Sequence, residues 1–175
     1  FNALAAISVC KTMGLSIEGI SNSLEIFTGV KRRFDIKVQN NDLMIIDDYA
    51  HHPVEVSSVI KAIKSNWDRR LLVIFQPHLF SRTKQFYKEF AEALHDADLV
   101  FVTEIFASRE KLDTSISSEK IGKYLKELHH KNVFNITTES LTADVKSKYM
   151  KGDIILTVGA GNIWRFADKL SESMQ

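Results

Sequence analysis

Leu43-Met44-Ile45-Ile46-Asp47-Asp48-Tyr49-Ala50-His51-His52-Pro53 passes from an apolar run through a polar cluster to a proline. Val54, Val56, Val59, Ile60 and Ile63 follow at helical spacing. Proline is favoured in the first turn of a helix, where its missing N–H costs nothing. The stretch therefore reads as a buried strand, a short polar loop and a helix opened by Pro53. Two carboxylates, a phenol and two imidazoles gather at the carboxyl end of that strand. In open α/β sheets ligands bind at that end.

The same grammar repeats along the rest of the chain. Leu71–Phe75, Leu99–Val102, Val133–Ile136 and Ile154–Val158 read as strands. Thr83–Leu94, Ser117–Leu128, Leu141–Met150 and Ile163–Leu170 read as helices. Continuous apolar strands that alternate with helices predict a mostly parallel sheet covered on both faces. On the amino side, Phe34–Val38 alternates with period two, and Asn40-Asn41-Asp42 signals a turn. A hairpin with Leu43–Ile46 follows from these. The expected class is α/β, a doubly wound, mostly parallel sheet with a hairpin near its start.

Two opening helices stand apart from this alternation. One runs from Phe1 to about Met13 and ends at Gly14; the other is capped by Ser16 and runs to about Phe27. Phe1 is not Met and sits inside a helical pattern with no cap before it. The expectation is a fragment in which residues 1–28 end a preceding domain and residues 29–175 form the doubly wound one. In the plainer reading the two helices pack on one end of the sheet.

The chain has 175 residues, 45% of them hydrophobic and 26% charged, enough for one sizeable core. A net charge of +1 gives no footing for nucleic acid, and no apolar run approaches a membrane span. Neither is an expected partner. The single Cys10 excludes an internal disulfide framework and fits a reducing compartment. Its place on an apolar helix face predicts core packing.

Three loops carry candidate chemistry. In the first, Asp48 at a strand end suits ribose hydroxyls, and a histidine near a helix start suits a bound carboxylate. The plainer reading is that His52 or Asp48 caps the helix. In the second, Phe75-Gln76-Pro77-His78-Leu79-Phe80-Ser81-Arg82-Thr83, His78 and Arg82 suit an anionic group, Arg with a planar fork. The plainer reading makes Ser81 or Thr83 a helix cap and Arg82 surface charge. In the third, Gly159-Ala160-Gly161-Asn162, small residues let a ligand approach the backbone or simply make a tight turn. Trp164 occupies the third glycine position of G-x-G-x-x-G, so this is no dinucleotide fingerprint. The chain holds no P-loop, no zinc-spaced Cys or His cluster and no G-x-S-x-G elbow. The basic triplet Lys31-Arg32-Arg33 suits a solvated face or a nucleotide held next door.

Gly29-Val30-Lys31-Arg32-Arg33-Phe34-Asp35, Asp47–Pro53, Phe75–His78 with Ser81-Arg82-Thr83, and Gly159-Ala160-Gly161 occur in this order in the Mur ligases. The chain resembles that family along essentially its whole length. Asn2–Ala6 resembles the end of the family's central ATPase domain. The resemblance implies a cytoplasmic enzyme of peptidoglycan precursor synthesis with three domains, of which this is the Rossmann-like carboxyl-terminal one. It implies ATP and Mg²⁺, bound mainly by the central domain, which activate UDP-N-acetylmuramate as an acyl phosphate for attack by L-alanine. The implied partners are these substrates and the other two domains.

By the same resemblance His51 is the catalytic contact to the incoming alanine or the reacting acyl group. His78 and Arg82 grip the alanine carboxylate, Tyr49 contributes contacts there, and Gly159, Ala160 and Gly161 border the pocket. Arg33 and Asp48 hold the ribose and adenosine side of ATP. Two positions depart from the pattern. Leu79 stands where many members have Arg, which leaves more of the carboxylate work to Arg82. Asn162 stands where many have Asp, and no catalytic role is assigned to it. The alternatives are the family's tripeptide ligase of murein recycling and a stand-alone module for a nucleotide or small anion. The fragment alone is expected to be inactive.

Overall fold

The computed structural model describes residues 2–174, which divide into two compact units between Val30 and Lys31. The first holds α1 (Asn2–Thr12) and α2 (Ile17–Glu25). Phe1, the expected start of the first helix, lies outside the described residues. Gly14 closes α1 at φ 85°, and the Ser16 hydroxyl accepts from the Gly19 N–H at 3.1 Å as a true cap. Two short helices enclose little: α1 buries no residue and α2 buries Ile20. Cys10 is therefore half-buried rather than a core residue.

The second unit runs β1 (Asp35–Gln39), β2 (Leu43–Asp48), α3 (Pro53–Asn66), β3 (Leu71–Phe75), α4 (Phe80–Leu94), β4 (Leu99–Val102), α5 (Glu119–Glu127), β5 (Val133–Asn135), α6 (Leu141–Lys148), β6 (Asp153–Val158) and α7 (Trp164–Ser173). The sheet order is β1-β2-β6-β3-β4-β5. Only the β1–β2 hairpin is antiparallel. Its turn is set by Asn40, whose Oδ1 accepts from the N–H groups of Asp42 and Leu43, both at 2.9 Å.

The pleat sorts successive strand residues to opposite faces. Met44, Ile46, Val73, Phe75 and Leu156 pack with Ile60 and Ile63 of α3, Phe90 and Leu94 of α4, and Ile121 and Leu125 of α5. Ile45, Leu72, Ile74, Phe101 and Ile155 pack with Leu141 and Val145 of α6 and Phe166 and Leu170 of α7. Each such side chain contributes about 1.5–3 kcal/mol of burial. This two-sided burial is why β3 and β4 are apolar throughout. The mostly parallel doubly wound sheet with its early hairpin is as the sequence predicts.

Several boundaries differ. α4 begins at Phe80, three positions before Thr83, because Leu79 turns at φ 71° and its carbonyl accepts the Thr83 N–H at 3.0 Å. Neither Ser81 nor Thr83 is its cap. α6 ends at Lys148 because the Asp153 carboxylate takes the Met150 N–H at 2.7 Å, and Tyr149 is extended. Among the described residues no helix is long and apolar enough to cross a membrane.

β6 is last in sequence yet lies between β2 and β3. The strand order reverses there, so a crevice opens at the carboxyl ends of the strands. The loops after β2, β3, β4 and β6 share that end of the sheet.

Candidate active site

The two aspartates that end β2 face different tasks. Asp47 is fully buried; its Oδ1 accepts from the Thr157 hydroxyl at 2.6 Å, and its Oδ2 lies 3.2 Å from Arg32 Nε. Burial raises the Asp47 carboxyl above its ordinary value, opposed by the Thr157 hydrogen bond and the Arg32 charge. Arg32 Nη2 also donates to the Gly159 carbonyl at 2.6 Å, which ties the β6 loop to the start of the unit. Asp48 is 8% exposed, and each oxygen accepts a backbone hydrogen bond, Oδ1 from Ala50 at 2.7 Å and Oδ2 from Phe34 at 2.8 Å. Asp48 thus holds its own loop in shape, and a further ligand would use its second lone pairs.

Tyr49 and His51 follow. The guanidinium carbons of Arg32 and Arg33 lie 4.9 Å and 5.3 Å from the Tyr49 ring centroid, and the His51 ring meets that ring edge-on at 5.2 Å. His51 Nδ1 is 3.0 Å from the Tyr49 carbonyl, which can only accept. In the neutral imidazole that contact places the proton on Nδ1 and makes Nε2 the acceptor. Glu55, in the first turn of α3, takes the N–H groups of His51 at 2.9 Å and His52 at 3.2 Å. Its Oε2 lies 3.5 Å from His51 Nδ1. Burial raises the Glu55 carboxyl, but these N–H groups and the nearby His51 and Arg33 charges bring it below its ordinary value.

His78 and Arg82 meet across the first turn of α4, with Nη1 and Nδ1 3.4 Å apart. An arginine cannot accept, so His78 Nδ1 does, and its proton sits on Nε2. Burial, then the Arg82 and His51 charges, hold His78 below its ordinary value of 6.5. His78 is thus a neutral donor near pH 7. Its ring stacks on Phe106 at 5.9 Å and meets His51 at 6.1 Å.

The glycine loop is filled from within. A Cβ on Gly161 would stand 2.7 Å from Phe106 Cγ and against Gln76 Oε1. Gln76 is 3% exposed; it donates to Asn162 Oδ1 at 2.9 Å and accepts the Ile163 N–H at 3.2 Å. The missing side chain at Gly161 therefore admits protein, and Ala160 is the more exposed of the small residues. A separate cleft of about 670 Å³, lined by Glu104, Lys126, Asn135 and Asp144 among others, holds none of these residues.

The sequence pattern of the family described as Mur ligase, glutamate ligase domain, matches residues 32–161. The chain belongs to the Mur ligase family. It is 39% identical over 175 residues to the UDP-N-acetylmuramate–L-alanine ligase of Geotalea uraniireducens, covering 99% of this chain and 38% of that protein. The crystal structure of UDP-N-acetylmuramate-alanine ligase MurC from Thermotoga maritima matches with TM-score 0.81 and 32% identity, over 99% of this chain and 37% of that one. A murein peptide ligase from Psychrobacter arcticus shares the fold at TM-score 0.65 and 23% identity, over 98% of this chain and 35% of that one. The chain thus spans about 38% of the curated relatives' length.

In this Mur ligase domain the fold brings Asp48, Tyr49, His51, His78 and Arg82 to one end of the sheet, with Gly159–Gly161 beside them. Of the basic triplet it is Arg32 that enters the buried network, while Arg33, the expected nucleotide contact, stays exposed over Tyr49. The expectations counted Asp47 in the polar cluster without a role, and did not include Glu55, Phe106 or Glu110, whose carboxylate accepts the Ser81 N–H at 3.1 Å. A signal for the first existed, because a carboxylate inside an apolar strand needs a donor or cation. Phe106 and Glu110 carry no local signal, since their roles come from loops that meet only in the fold. Among the described residues no group of three or more His, Cys, Asp or Glu is placed to hold a metal ion.

Proposed function

We propose that this chain is the carboxyl-terminal part of an ATP-dependent, ADP-forming ligase that joins L-alanine to UDP-N-acetylmuramate. The carrying observation is the likeness over 99% of the chain to a ligase of that name. Residues 1–28 belong, in this reading, to the end of the preceding ATP-binding domain. The sequence holds no P-loop, and in this reading Mg²⁺ and the triphosphate are bound mainly by the rest of a cytoplasmic polypeptide.

The site suits the amino-acid half of the reaction. Arg82 and the neutral His78 Nε2–H donate to the alanine carboxylate. Orienting that carboxylate fixes the amine, which attacks the activated acyl carbon while phosphate leaves. The free Nε2 of His51 takes the proton the amine gives up. Tyr49 and Ala160 line the pocket, and Arg33 and Asp48 serve the nucleotide side.

The test is steady-state kinetics on the full-length protein. Arg82→Ala should raise the KM for alanine roughly ten- to a hundredfold, the loss of a charge-assisted hydrogen bond, and leave that for ATP near wild type. His51→Gln should lower kcat by about a hundredfold with a smaller change in KM. A muramoyl tripeptide-adding activity that exceeds alanine addition would refute the substrate assignment.

A further inference from the structure

We infer that Arg109 supplies a second guanidinium to the subsite for the amino-acid carboxylate, carried on a turn of the β4 loop that is clamped to the β3 loop. The inference rests on the reading of His78 and Arg82 given above.

The clamp is built from contacts between two loops far apart in sequence. His78 and Phe106 form a parallel bridge: Leu79 N–H donates to the Phe106 carbonyl at 3.0 Å, and Phe106 N–H to the Pro77 carbonyl at 2.8 Å. The rings of His78 and Phe106 stack at 16°. Beyond Phe106 the chain turns, with Ser108 at φ 53° and Glu110 N–H donating to the Ala107 carbonyl at 3.0 Å. The Glu110 carboxylate then accepts from Ser81 twice, from N–H at 3.1 Å and from the hydroxyl. Arg109 precedes the residue bound to Ser81, and Arg82 follows Ser81. One clasp thus brings both arginines to the same rim.

Among the described residues Arg32 and Arg70 pair with Asp47 and Asp153, but neither Arg82 nor Arg109 has a carboxylate partner. Glu110 is the carboxylate beside them, and both its oxygens are engaged by Ser81. The Arg109 charge is also felt at His78, where it adds to the influences that keep the imidazole neutral. A carboxylate has lone pairs for several donors and suits two guanidinium groups. Leu79, half-buried between His78 and Arg82 in the chain, brings no charge, and Arg109 makes up the deficit from the opposite loop.

Arg109→Ala, Arg109→Gln, Arg109→Lys and Arg82→Ala in the full-length protein test this. Alanine-dependent phosphate release is measured over alanine and ATP concentrations. Arg109→Ala and Arg109→Gln should raise the alanine KM about three- to tenfold, as suits an exposed charge, with kcat and the ATP KM within about twofold. Arg109→Lys should restore most of the affinity, and 0.5 M KCl should shrink the difference from wild type, since that concentration shortens the screening length to about 4–5 Å. If Arg82→Ala raises the alanine KM and the neutral Arg109 variants do not, this inference fails and the site reading stands. If neither residue matters, the site reading fails as well. If kcat and both KM values shift together, Arg109 only supports the turn, and the inference is overturned.

Discussion

Arg32 Nε stands 3.2 Å from the Oδ2 of Asp47, with the Asp47 side chain fully buried and that of Arg32 21% exposed. The same guanidinium reaches the Gly159 carbonyl, so one arginine joins the ends of β2 and β6 to the segment before β1. The Arg32 backbone is part of the brace, since its carbonyl accepts the Tyr49 N–H at 2.7 Å. The loops of the candidate site thus sit on a buried electrostatic joint.

Arg32→Ala should therefore be costly. It leaves Asp47 buried with only the Thr157 hydroxyl, and breaking such a pair costs about 3–5 kcal/mol. Adding Asp47→Asn to Arg32→Ala should recover part of the loss, because the stranded charge is then gone. Urea unfolding followed by tryptophan fluorescence checks this, as Trp67 and Trp164 both lie in the second unit. An Arg32→Ala midpoint equal to wild type would contradict it.

Gly161→Ala should destabilise by about 1–3 kcal/mol, as overpacking does. The new methyl would meet Phe106 Cγ at 2.7 Å and the Gln76 carboxamide. The Phe106 ring must yield, and it is the ring that supports His78, so the alanine KM should rise too. In a Phe106→Ala background the Gly161→Ala penalty should fall, since the two share one space. Additive penalties would show that the clash lies elsewhere.

His78 gives a pH dependence with a definite sign. Its folded pKa is below the ordinary 6.5, so between the two values the unfolded chain binds the extra proton. Its contribution to stability is present above about pH 6.5 and is lost as pH falls through the lower, folded value. Glu110 is also lowered, chiefly by its hydrogen bonds from Ser81, and adds loss in the same direction further into acid. Thermal midpoints from pH 7.5 to 5.5 should fall less steeply in His78→Gln than in wild type. Equal slopes would mean that His78 titrates normally.

The class of fold was legible in the residues. Leu71–Phe75 is apolar at every position, and Ile154–Val158 at every position but Thr157, because both faces of the sheet are covered, and the Asn40 turn and Pro53 mark their own boundaries. These signals are local, so they survive in one dimension. The helix starts were less legible. α4 begins three residues early because Leu79 adopts a positive φ that its side chain does not announce.

Residue order alone specifies an alternating α/β chain with polar residues at strand ends, and the order of its motifs resembles that of a family. The division of labour among those residues comes from the fold. It put β6 between β2 and β3, so that Gly159 meets Arg32 and Gly161 receives Phe106. It chose Arg32 over Arg33 for the buried pair, and it gave Asp48 two backbone partners. The reason is physical. A side chain's type fixes what it can donate, accept or bury, but its partner is fixed by which loops the sheet order brings to one edge.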